Sequence, residues 1–227
     1  MRALADDVLP DGFQLLPQVL DGEHRQRLID RLSSLPPGAA GRRDLLDQPW
    51  CQDLAHWLRT APRLCALLPA GHVAVQCTLF EKSPDRNWLV TPHQDLALPV
   101  AARVDHPALG AWSFKDGGHF VLAPAAVLGD LMAVRLHLDD ATAADGGLRF
   151  VPGSHRDGIL GDAAVSQWRE RAGEVAVDAH ASDALLMRPL VLHASSKATA
   201  PGRRRVLHFV FGPRGLPFGL RWRQAVD

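Results

Sequence analysis

The chain has 227 residues, 47% of them hydrophobic, with 25 basic and 25 acidic side chains and so no net charge. A chain of this length buries roughly 70% of its unfolded surface and needs no staple to fold. The lack of a basic excess argues against nucleic acid as a partner, despite the short run Arg203-Arg204-Arg205.

At the N-terminus, MRALADDVLPDG carries acidic residues and no apolar h-region, unlike a signal peptide. No apolar run reaches the roughly 18 residues of a membrane span. Cys51, Cys65 and Cys77 are odd in number and lack a CxxC spacing, which fits a reduced protein. A cytoplasmic location without a membrane partner is therefore expected. Tyrosine is absent, so no step can depend on a tyrosine acid or radical.

Asp21 reads as an N-cap, followed by Leu28, Ile29, Leu32 and Leu35 at helical spacing until Pro36-Pro37-Gly38 stops the run. Leu46, Trp50, Leu54, Trp57 and Leu58 predict a second helix over 45–58, with its aromatics in the core. From residue 72 the pattern turns β-rich. His72 to Phe80 predicts a strand ending at Ser83-Pro84-Asp85. Leu131 to Leu138 alternates, with Met132, Val134, Leu136 and Leu138 on one face and Ala133, Arg135, His137 and Asp139 on the other. Further strands are predicted over 148–151, 174–177, 185–193 and 204–211, separated by Gly- and Pro-containing turns. Helices first and short strands afterwards predict a mainly β fold, a jelly roll with a helical buttress. One domain is expected over residues 1–227, helical to about 70 and jelly-roll over about 72–213.

The chemistry gathers at Thr91-Pro92-His93-Gln94-Asp95. Side chains two apart on an extended chain point the same way, so His93 and Asp95 can serve one metal ion. His193, after the apolar Leu190-Val191-Leu192, is the best candidate for a third ligand, with His180 and His208 next in line. Two His and one carboxylate leave open positions and suit Fe(II) with a bidentate co-substrate and O2. Arg204 follows His193 by eleven residues and shares a strand face with Val206 and His208. A guanidinium there can grip the distal carboxylate of 2-oxoglutarate, and Ser195 can add a hydroxyl. Arg203 and Arg205 read as a solvated turn. The motif Pro152-Gly153-Ser154-His155 reads as a structural turn, and His137 and His208 as pocket or core residues.

These residues resemble the phytanoyl-CoA dioxygenase family of Fe(II)/2-oxoglutarate oxygenases, from about Gly12 to Pro213. The firmest blocks are Pro92-His93-Gln94-Asp95-Leu96, then Asp145-Gly146-Gly147-Leu148 with Val151-Pro152-Gly153-Ser154-His155, and His193-Ala194-Ser195 leading to Gly202-Arg203-Arg204. The resemblance implies a double-stranded β-helix (jelly roll, cupin-like) core, with His93, Asp95 and His193 on iron. It places Arg204, Ser195, Thr78 and Arg135 at the co-substrate, and Arg135 departs from a tryptophan found in some relatives. Arg135 is either a ligand-binding residue or the partner of Asp139. Gln76, Trp88, Trp112 and Lys115 are candidates on the substrate side.

The implied activity is hydroxylation of an unactivated C–H, with Asp95 favouring it over halogenation; the expected substrate is a small metabolite, such as an amino acid or a biosynthetic intermediate. The rivals are a zinc hydrolase, which needs no such arginine, and an inactive carboxylate-binding protein. The expected partner is a small molecule, with the protein a monomer or homodimer.

Overall fold

The computed structural model describes residues 8–36 and 41–227. Pro37 and Gly38, two of the three residues of the expected helix stop, lie outside the described residues. Strand β1 (Phe13–Leu16) precedes α1 (Gly22–Ser33), whose first turn is capped by the Asp21 carboxylate accepting from the His24 N–H at 2.6 Å. After β2 (Gly41–Arg42), a 3-10 turn at Leu45–Asp47 leads into α2 (Pro49–Thr60), followed by the short α3 (Pro62–Cys65). The second helix thus starts later than its apolar spacing predicts. Pro49 occupies its first turn, where the missing N–H costs no hydrogen bond.

The remaining elements are β3 (His72–Lys82), β4 (Val90–His93), β5 (Ala97–Val100), β6 (Trp112–Lys115), β7 (Gly118–Leu122) and α4 (Ala125–Leu128). Then come β8 (Met132–His137), β9 (Leu148–Phe150), α5 (Asp162–Ala172), β10 (Val175–Ala176), β11 (Ala184–Met187), β12 (His193–Ser195) and β13 (Arg204–Pro213). All pairings are antiparallel. They form a six-stranded sheet ordered β1-β11-β8-β13-β3-β2, a four-stranded sheet ordered β10-β9-β12-β4, and a three-stranded sheet ordered β5-β7-β6. The fold is the expected mainly β jelly roll with a helical buttress.

Both faces of the large sheet are covered, which explains why every residue of β8 is buried. Leu28, Leu32, Leu54 and Leu58 of the helices pack on its outer face against Met132, Val134, Leu136, Leu207 and Phe209. Its inner face meets the small sheet through Ala133, Leu185 and Met187 against Leu148 and Phe150, with Phe13 stacked on Phe150 at 4.3 Å. Outer positions are therefore apolar. The alternate, inner positions of β3, β8 and β13 carry Thr78, Lys82, Arg135, His137, Arg204 and His208, all buried.

Three expectations need correction. Residues 185–193 do not form one strand: β11 ends at Met187 in the large sheet, and β12 begins at His193 in the small one. Pro189 cannot donate to a ladder, and the chain turns there, with the Val191 N–H reaching the Arg188 carbonyl at 3.1 Å. Asp139 lies beyond the end of β8 and does not share the partners of Arg135. It accepts two side-chain hydrogen bonds from Arg205, each at 2.8 Å. Arg205 is thus a tied residue at the β13 edge rather than part of a solvated turn.

Candidate active site

His93 ends β4 and His193 opens β12, and the two are direct cross-strand partners. Asp95 sits just past β4, in a loop fixed by its neighbours. Its own N–H donates to the Pro189 carbonyl at 2.9 Å. The Gln94 amide donates to the Gly158 and Leu190 carbonyls at 2.8 and 2.6 Å, and its oxygen accepts from the Leu160 N–H. One candidate ligand atom from each of His93, Asp95 and His193 lies within 4.8 Å of the others.

The donor chemistry of this cluster fits a divalent metal. Nδ1 of His93 donates to the Thr91 carbonyl at 3.0 Å, and Nδ1 of His193 to the Val191 carbonyl at 2.9 Å. A proton held at Nδ1 leaves each Nε2 with a lone pair, and both Nε2 atoms point at Asp95, at 3.6 and 3.9 Å. Burial pushes the His193 pKa down to about 4, so the ring is neutral near pH 7. For Asp95, burial opposes ionisation. The neighbouring His93, His193 and His208 rings outweigh it, holding the carboxyl well below its usual range. Two imidazoles and a carboxylate are a donor set suited to non-haem Fe(II).

His155 and His180 lie outside this cluster. The His180 ring is largely exposed, 3.6 Å from Asp140. The turn that contains His155 is structural, as expected. Gly153 opens it at φ +77°, a conformation that favours glycine. Ser154 Oγ donates to the Val151 carbonyl and accepts the Leu192 N–H at 2.8 Å, fixing the residue before His193.

Deeper in the barrel, Arg204 faces Lys82 across β13 and β3. One Arg204 Nη donates to the Gly146 carbonyl, while its buried Nε has no partner. Gly146 has φ +69°, and a Cβ there would lie 2.5 Å from the Ser196 carbonyl oxygen, so the loop approaches this closely only as glycine. Ser195 is buried beside it, accepting from Lys82 Nζ at 3.0 Å. Thr78 is fully buried opposite His208 and accepts from Gln76 Nε2 at 2.8 Å. Arg135 also lines this interior, its Nη1 donating to His208 Nδ1 at 3.0 Å.

An open cleft of about 380 Å³ reaches Asp95, lined by Gln76, Phe80, Gln94, Lys115, Phe120 and His208 among others. Gln76 and Lys115 thus line this cleft, but Trp112 and Trp88 do not. Trp112 packs in the apolar cluster around the three-stranded sheet, with Arg103 over its ring at 5.7 Å. Trp88 stands 5.4 Å from Lys82 Nζ. Sequence reasoning passed over Lys82 and Gln94. Period-two spacing with Thr78 and Phe80 was the signal for Lys82; the role of Gln94 depends on loops far away in sequence.

Among the described residues, no helix is long and apolar enough to cross a membrane. No curated protein matches the chain in sequence. Solved structures do share its fold. HygX from Streptomyces hygroscopicus, with nickel and 2-oxoglutarate bound, is 18% identical and superposes at a TM-score of 0.60 over 92% of this chain and 84% of its own. EctD from S. alaskensis is 16% identical, with a TM-score of 0.67 over 99% of this chain and 82% of its own. SnoK, a non-heme α-ketoglutarate-dependent carbocyclase of nogalamycin biosynthesis, is 16% identical, with a TM-score of 0.64 over 92% and 85%. The model of the phytanoyl-CoA dioxygenase (PhyH) family matches residues 11–206, most of the length, and the chain belongs to that family.

Proposed function

We propose that this protein is an Fe(II)- and 2-oxoglutarate-dependent dioxygenase that hydroxylates an unactivated C–H of a small metabolite, such as an amino acid or a biosynthetic intermediate. The observation that carries this reading is one barrel interior holding both a His-Asp-His cluster open to a cleft and a buried arginine with an unpartnered Nε. A zinc hydrolase on the same ligands has no use for Arg204. HygX with 2-oxoglutarate and hygromycin B bound, and SnoK in nogalamycin biosynthesis, support a small biosynthetic molecule as substrate.

Iron held by His93, Asp95 and His193, with 2-oxoglutarate and O2, would supply the oxidation. The rest is the work of side chains. Arg204 and Ser195 take the distal carboxylate, with Thr78 on the pocket wall. Burial of His193 and the depressed Asp95 keep these two ligands unprotonated near pH 7. The cleft beside Gln76 and Lys115 orients the substrate. We read the chain as one such domain, working in the cytoplasm as a monomer or homodimer.

The test is anaerobic addition of 2-oxoglutarate to Fe(II)-loaded protein. A weak visible charge-transfer band is expected, followed in air by succinate release that rises with the right metabolite. Hydrolysis by zinc-loaded protein, without succinate from the iron form, would overturn the reading.

A further inference from the structure

The inner faces of β3, β8 and β13 carry three buried cations, Lys82, Arg135 and Arg204. Two of them are partly provided for. Lys82 is held by Ser195 Oγ and the Ser196 carbonyl, and Arg204 by the Gly146 carbonyl with Asp145 nearby. Arg135, 5% exposed, has one hydrogen bond, to the neutral His208 ring, and lies 5.3 Å over the Phe80 ring. Its Nε has no partner, and Asp95, a candidate metal ligand, is the one carboxylate among the described residues whose field is felt at Arg135, without forming an ion pair with it. Two residues along the strand, His137 is 3% exposed, and neither ring nitrogen has a partner.

A buried charge or polar group without a partner is costly, and folded proteins seldom leave several together. The outer edge shows what a structural solution looks like: Arg205 is gripped at two points by Asp139. Nothing comparable was built for Arg135. Its position is also telling. Its field acts on His193 and His208 at the metal end, and on Lys82 at the Arg204 end. Burial and the fields of Arg135 and Arg204 keep His137 neutral, so its ring offers a carboxylate one N–H donor.

We infer that Arg135 and His137 form a second carboxylate-binding subsite, separate from Arg204 and lying between it and the metal ligands. The carboxylate is either the keto-acid end of the co-substrate or a group on the substrate. For its setting the subsite rests on the dioxygenase reading, and its test keeps the two apart.

The experiment is anaerobic calorimetric titration of Fe(II)-loaded protein with 2-oxoglutarate, with pyruvate, and with acetate after 2-oxoglutarate saturation. If the co-substrate uses the subsite, Arg135→Leu weakens 2-oxoglutarate and pyruvate together, on the order of 10²-fold. Arg204→Leu then spares pyruvate, which lacks a distal carboxylate. If the substrate uses it, 2-oxoglutarate binding is unchanged, and the acetate binding seen in loaded wild-type protein disappears in Arg135→Leu. Arg135→Gln and His137→Phe carry the same comparison should Arg135→Leu not fold. Unchanged titrations in folded variants overturn the subsite. If wild-type protein takes up no 2-oxoglutarate, the dioxygenase reading falls, and acetate titration of wild-type protein against the Arg135 variants decides the subsite alone.

Discussion

His93 and His193 face each other across the β4–β12 ladder, their ring centroids 4.3 Å apart and their planes tilted by 49°. Each holds its Nδ1 proton on the carbonyl two residues before it, so local backbone sets the tautomer of both rings. One ring is buried and the other is 39% exposed. Such a pair binds metal from the protein side while leaving a face open.

The first prediction follows from that pairing. His93→Ala and His193→Ala should each abolish stoichiometric Fe(II) binding, measured as metal content after desalting. His208 stands 4.0 Å from the Asp95 carboxylate without belonging to the triad. His208→Ala should retain iron with affinity reduced about 10- to 100-fold, the usual cost of losing a residue that supports a ligand. Full iron affinity in His193→Ala would show that the third ligand lies elsewhere.

Within the basic run, the three arginines should behave differently. Arg204→Leu should raise the 2-oxoglutarate requirement on the order of 10²-fold, as losing one partner of a desolvated charge pair does. Arg203 is mostly exposed against Glu81, and Arg203→Ala should change little. Arg205→Ala should instead cost about 1 kcal/mol of stability through Asp139, with co-substrate affinity kept. Equal loss of 2-oxoglutarate binding in all three would mean a diffuse basic patch.

Acid should weaken the metal-free protein in a defined window. An unfolded histidine takes a proton near pH 6.5, whereas folded His193 and His208, pushed down mainly by burial, do so only near 4 and 3. Between those values the unfolded chain binds more protons, so stability falls as pH drops from about 6.5 towards 4. His93 works the other way. Burial lowers its pKa, but Asp95 and the Thr91 carbonyl raise it further, so it opposes the trend. In His208→Phe the thermal midpoint should vary less with pH over this range; an unchanged slope would remove His208 from the account.

Lys82 sets an alkaline limit. Burial and the fields of Arg204, Arg135 and Arg149 bring its pKa down to about 8. If its charge helps hold the co-substrate, 2-oxoglutarate affinity should decline as pH rises through 8, and Lys82→Met should be weaker but flat across that range. A decline of equal steepness in the variant would assign it to another group.

Gly146→Ala tests the loop behind Arg204. With φ +69° and a Cβ placed 2.5 Å from the Ser196 oxygen, alanine should cost about 1–3 kcal/mol in a denaturant melt. It should also weaken 2-oxoglutarate binding, because the Gly146 carbonyl holds the Arg204 guanidinium.

Much of this was legible in the sequence because it is local or periodic. The alternation in Met132–His137 and Arg204–Phe211 separates an apolar outer face from a polar inner one, and it needs no knowledge of the partner strands. The His-x-Asp spacing, the glycine turn at Gly146 and the eleven-residue step from His193 to Arg204 are likewise properties of short segments. The tertiary structure alone decided which charges meet. Asp139, two to four residues from His137 and Arg135, went to Arg205 instead, because β8 ends before it and β13 passes alongside. The break at Pro189 moved His193 into the other sheet, opposite His93. Contacts between sheets depend on where the chain turns and crosses, and a strand's own pattern records only which face is buried, not what lies across from it.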